Sequence, residues 1–163
     1  MRSRRSILLA LTTLALPVGA IVPIRVAAGS KTIVVVTRPN SALRDLSFRD
    51  LKRLYQAEPM TGPDASRLIP LNLAVGSATR AAFDQLVLKM SPDQIGRYWI
   101  DRRIRGEPGA PRAIPSVELL RRVLISLQGT VAYLDAADLT ADLGLVTVDG
   151  KRPTDPDYPL RLE

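Results

Sequence analysis

One stretch of this sequence has the residue types and spacing to hold an anion. Leu68-Ile69-Pro70-Leu71-Asn72-Leu73-Ala74 reads as a short strand, Gly76 breaks it, and Ser77-Ala78-Thr79-Arg80 opens a helix. The first N–H groups of a helix have no intrahelical acceptor, and the helix dipole favours negative charge beside them. The hydroxyls of Ser77 and Thr79 can donate to the same anion, and Arg80 can add charge. A plainer reading makes Ser77 an N-cap, Thr79 a first-turn residue and Arg80 a solvated side chain. Spacing alone favours the plainer one.

Other clusters offer less. Arg97, Arg102, Arg103, Arg105, Arg112, Arg121 and Arg122 stand against Asp101, Glu107 and Glu118. They would either rim an anion cleft or form a solvated helix face, and the second is favoured. Asp135, Asp138 and Asp142 lack the spacing of a calcium loop and read as caps and loop residues. Tyr98 and Trp99 read as core. The 163 residues include no Cys and no His. That excludes disulfides, thiolate nucleophiles, Ser-His-Asp machinery and the common zinc sites. No paired acids occupy a cleft-like context, so no enzyme, metal or cofactor is expected.

Alternating strands and helices must position the anion stretch. Lys31–Thr37 is a continuous β-branched run and reads as a central strand buried on both faces. Ser47 caps a helix whose face is Phe48, Leu51, Leu54 and Tyr55. The helix opened by Ser77 carries Phe83, Leu86, Val87 and Met90 at i, i+3, i+4 and i+7. Ser91-Pro92-Asp93-Gln94 starts a third helix with a capping box and Pro at its first position. Residues 105–115, with two Gly and three Pro, read as a loop. Ser116 caps a fourth helix with Leu120, Val123, Leu124 and Leu127 inward, ending at Gly129. Thr130–Leu134 and Leu145–Val148 read as strands, with Asp149-Gly150 as a turn. The expected class is α/β: one lobe, with a mixed, largely parallel sheet flanked by helices. Phe83, Leu86, Trp99, Leu120 and Leu124 are expected to be buried.

The N-terminus has its own pattern. Met1–Ser6 is basic, Ile7–Leu16 is apolar, Pro17 breaks the run, and small residues follow at 18–20 and 26–28. This is the order of a secretory signal peptide. Cleavage after Ala28 is slightly preferred to cleavage after Ala20. The chain then divides into a leader, 1–28, and a domain, 29–163. The formal net charge of +7 owes much to that leader. Without it, 19 basic and 16 acidic residues leave +3, which gives no case for nucleic acid as partner.

Four separate stretches, in this order, carry a resemblance. They are Asp45–Tyr55; Ile69-Pro70-Leu71-Asn72 followed by Gly76–Thr79 and Phe83; Leu127-Gln128-Gly129-Thr130-Val131-Ala132-Tyr133; and Val148-Asp149-Gly150-Lys151-Arg152-Pro153 with Tyr158-Pro159-Leu160. Together they resemble the substrate-binding proteins of phosphate ABC importers, in a short-chain form. The family's Ser-Gly-Thr anion loop falls on Ser77-Ala78-Thr79. Ala78 stands where the family has glycine, and Leu73 stands where it usually has arginine. Full-length members have two lobes and a further phosphate-contacting segment ahead of the part seen in this chain.

The resemblance implies a periplasmic-binding-protein-like lobe, exported to the periplasm and non-enzymatic. It would bind a small oxyanion such as phosphate at Ser77, Ala78, Thr79 and Arg80, with a membrane transporter or sensor as partner. A monomer is expected. The alternative is an envelope interaction module that keeps the fold without a ligand.

Overall fold

The computed structural model of the chain describes residues 31–162. The leader expected at 1–28 lies outside the described residues. A six-stranded sheet is built from β1 (Ile33–Thr37), β2 (Asp45–Leu46), β3 (Ile69–Leu73), β4 (Arg112–Ile114), β5 (Thr130–Asp135) and β6 (Gly144–Val148). Its order is β2-β6-β1-β5-β3-β4. Three neighbouring pairs are parallel (β2 with β6, β3 with β5, β3 with β4), while β1 runs antiparallel to both β5 and β6. The fold is therefore α/β with a mixed, largely parallel sheet. All five residues of β1 are buried, as its unbroken β-branched run requires in the middle of a sheet.

The chain beyond β6 returns to the same strand. Ile33 N–H donates to Leu160 O at 2.9 Å, and Leu162 N–H donates to Lys31 O at 2.8 Å. Pro70 starts β3. It faces Val131 on β5, and pairing with β4 begins only at Leu71, so its missing N–H costs no ladder bond.

Four α-helices accompany the sheet among the described residues: α1 (Phe48–Tyr55), α2 (Ala78–Phe83), α3 (Pro92–Ile104) and α4 (Val117–Ser126). Each starts on a serine whose side chain accepts an N–H three residues on, from Asp50, Arg80, Gln94 and Leu119 respectively. The capping box of Ser91 and Gln94 is complete. Leu51, Leu54 and Tyr55 bury one face of α1, and Leu120 and Leu124 bury one face of α4.

Several expectations are corrected. The helix opened by Ser77 is α-helical only to Phe83 and continues as a π turn, Asp84–Leu88. The wider turn rotates the later residues, so Leu88 joins Phe83 and Val87 in the core and Leu86 is only half-buried. Trp99 is also half-buried and packs on the core margin. Leu127 lies one residue past the end of α4 and is 45% exposed rather than inward. β2 and β4 are strands where none was expected. β4 lies inside the Pro-rich stretch that reads as loop, between Pro111 and Pro115.

Candidate functional site

The Ser77 stretch sits at the C-terminal end of β3, where open α/β sheets hold ligands. Gly76 turns the chain with φ +88, a conformation open to glycine at no steric cost. Ser77 N–H closes the turn on Ala74 O at 3.1 Å. The Ser77 hydroxyl accepts the Arg80 N–H at 3.4 Å, so the plainer N-cap role is filled. Among the described residues, no protein acceptor meets the Ala78 and Thr79 N–H groups, and the Thr79 hydroxyl makes no hydrogen bond. Those donors and the Ser77 O–H surround the loop.

Arg80 is not a solvated side chain. Its Nη1 donates to Leu73 O at 3.0 Å, and its Nε lies 3.6 Å from Asp84 Oδ2. The two side chains are only 11% and 10% exposed. Burial raises the Asp84 pKa, and the Arg80 guanidinium opposes that rise. The spacing of Arg80 and Asp84, one helical turn apart, was visible in the sequence, but only the inward rotation of α2 turns it into a buried pair. A cavity of about 120 Å³ opens beside it, lined by Val75, Gly76, Ser77, Arg80, Asp84 and Ile95 among others.

An aromatic cluster fixes this loop to the sheet. Phe83 stacks on Tyr133 with ring centroids 3.8 Å apart, and Tyr55 meets Phe83 edge-on at 4.6 Å. The Tyr133 hydroxyl donates to Asn72 Oδ1 at 3.0 Å, and the Tyr55 hydroxyl to Leu71 O at 3.1 Å. Both phenol pKa values are pushed up, first by burial. These residues act as scaffold for the end of β3 and give the site no acid–base group near neutrality.

The other candidates disperse. Arg102 lies over the rings of Tyr98 and Trp99, at 5.6 and 5.7 Å, and donates to Gln56 O at 2.8 Å. It braces α3 against the end of α1. Arg105 pairs with Asp101 and Glu107, and Arg121 with Asp142. Asp135 caps the short 3₁₀ turn Ala136–Asp138 and pairs with Lys31. Among the described residues, no group of acids has the arrangement to hold a metal ion.

No protein-family model matches the chain, and no curated protein matches it in sequence. Solved structures do match in fold. An ABC-type phosphate transport receptor from Vibrio cholerae superposes with TM-score 0.65 at 14% identity, covering 82% of this chain and 54% of its own. A phosphate ABC transporter substrate-binding protein with bound phosphate, from Clostridium perfringens, superposes with TM-score 0.64 at 15% identity, covering 82% and 53%. PstS from Borrelia burgdorferi superposes with TM-score 0.59 at 10% identity, covering 82% and 55%. The chain spans about half the length of these structures, and at such identities the likeness is one of fold. The expected periplasmic-binding-protein-like architecture is the one observed.

Proposed function

We propose that the chain is an exported, non-enzymatic binding domain that holds a small oxyanion, phosphate foremost, and presents it to a membrane transporter or sensor. The observation that carries this reading is the set of free donors at the end of β3. The N–H groups of Ala78 and Thr79 and the Thr79 hydroxyl meet no protein acceptor, and Ser77 and Arg80 line the small cavity beside them. Phosphate is held by a structural neighbour of the same fold. Export rests on the basic, apolar, small-residue order of residues 1–28.

Two features set the strength of binding. Asp84 offsets the charge of Arg80, and Ala78 keeps its N–H but narrows the approach with its methyl group. The expected affinity is on the order of 0.1–1 mM, about −5 kcal/mol. The test is an NMR titration with phosphate and sulfate at low and high salt, on the wild type and on Ser77→Ala/Thr79→Ala. Shifts centred on residues 76–80, weaker at high salt and absent from the double variant, support the site. No shifts there at 10 mM anion overturn it. The ligand-free interaction module then becomes the better reading, supported by the exposure of Val75 (83%), Ile104 (78%) and Ile100 (60%).

A further inference from the structure

The helix α3 buries little of itself. Of its 13 residues only Ile95 is buried. Ile95, Trp99 and Arg102 face the rest of the molecule, Trp99 on the core margin and Arg102 on Gln56 O at 2.8 Å. At about 100° per residue, the opposite side of the helix carries Gly96, Ile100 and Ile104 as one stripe. Ile100 is 60% exposed and Ile104 78%. A side chain at Gly96 would meet nothing within 4 Å. Contiguous apolar surface on an outer face marks a contact with a partner.

The charges around the stripe say what that partner is. Asp93, Arg97, Asp101 and Arg103 flank it, all of them exposed. Among the described residues, Asp93, Arg97 and Arg103 make no ion pair, and Asp101 pairs with Arg105 through Oδ2 alone. Laid antiparallel against a second copy, with the two-fold axis beside residues 98–99, the stripe matches itself. Ile100 meets the partner's Ile100 across the axis, and the missing side chain of Gly96 lets the two backbones close up beside it. Arg97 then stands level with the partner's Asp101, and Asp93 with the partner's Arg103, to within the rise of one residue, about 1.5 Å. Symmetry makes each pair twice. A parallel arrangement would set Arg97 on the partner's Arg97 and Arg103 on the partner's Arg103, like charge on like. The two aspartates also disfavour an anionic lipid surface, which a stripe flanked by arginines alone would suit.

We infer that the outer face of α3 is a self-association surface, and that the chain forms a symmetric dimer through an antiparallel pair of α3 helices. This departs from the monomer expected from the sequence. The contact is small. Two helices of about 20 Å bury less than a standard interface, so the dimer is weak, with a dissociation constant of roughly 10–100 µM. It stands apart from the oxyanion reading, since none of Gly96, Arg97, Ile100 and Ile104 lines the cavity at the end of β3.

The experiment is sedimentation equilibrium of the full chain over about 5–500 µM, a range that brackets the expected dissociation constant. Wild type is compared with Ile100→Glu, Arg97→Glu and Arg97→Glu/Asp101→Arg, and circular dichroism checks that each variant is folded. Wild type should pass from monomer to dimer across the range. Ile100→Glu and Arg97→Glu should each weaken the dimer about tenfold or more, and the double swap should restore it to within about threefold of wild type. A monomer at every concentration overturns the inference. So does a dimer that Ile100→Glu leaves intact, or one that the double swap fails to restore. A monomer that cosediments with phosphatidylglycerol vesicles, and no longer does so as Ile100→Glu, overturns it in favour of a lipid surface.

Discussion

Replacing Arg80 with alanine should cost the protein far more than the loss of a surface arginine. The guanidinium bridges Leu73 O, 3.0 Å away, and Asp84, 3.6 Å away, and both charged side chains are almost wholly buried. Removing one partner leaves the buried Asp84 carboxylate without its cation, and breaking a buried pair this way typically costs about 3–5 kcal/mol. The lower end applies, because Asp84 can escape by taking up a proton. Burial already raises its pKa, and Arg80 is the group that holds it down. A loss of about 3 kcal/mol lowers the melting temperature of a domain of this size by about 10–15 °C.

The pH dependence has a definite sign. A carboxylate whose folded pKa is raised burdens the folded state once the pH exceeds that pKa, and the burden lifts as the pH falls through it. In Arg80→Ala the Asp84 pKa rises further, so the gap in melting temperature between variant and wild type should narrow from pH 7 to pH 5. Thermal unfolding followed by circular dichroism at the two pH values checks both statements. A drop under about 3 °C at pH 7, or a gap that widens on acidification, would refute the assignment of Arg80 and Asp84 as a buried, mutually dependent pair.

Two further substitutions probe the scaffold. Phe83→Ala removes a fully buried ring stacked on Tyr133 and should cost about 3–5 kcal/mol in urea unfolding; an unchanged midpoint would mean that the phase of α2 is wrong. Gly129→Ala puts a methyl group onto the Arg67 carbonyl oxygen at a residue with φ +78, and should cost at least about 2 kcal/mol; a variant as stable as wild type would contradict that close approach.

Much of this architecture was legible in the sequence, because its signals are local. The four serine caps, the Pro92 start, the β-branched run of β1 and the Asp149-Gly150 turn each depend on a few adjacent residues. What escaped was set by distant partners. β4 is three residues between prolines and is a strand only because β3 offers it a ladder. β2 is two residues beside β6. Nothing in Asp84–Leu88 announces a π turn, yet that one extra residue per turn exchanges Leu86 for Leu88 in the core. At the site, the donors of residues 77–79 follow from any helix start. The inward turn of Arg80 depends on Leu73 O and on Asp84, and so on how α2 packs against the end of β3.

The placement of β1 has a consequence for the order in which the chain can fold. Its hydrogen-bonding partners, β5 and β6, lie about a hundred residues further on, and Leu160 and Leu162 complete the same edge. Closing a loop of that length costs about 4 kcal/mol of chain entropy before any pairing repays it. A ribosome adding about 5–20 residues per second needs roughly 6–20 s to travel from β1 to the end of β6. Until β5 has been made, Ile33–Val36 has neither of its partner strands, and it is an uncharged, β-branched segment of the kind that aggregates when exposed. The central strand is therefore made well before its partners, and the sheet cannot close around it until β5 and β6 have been synthesised.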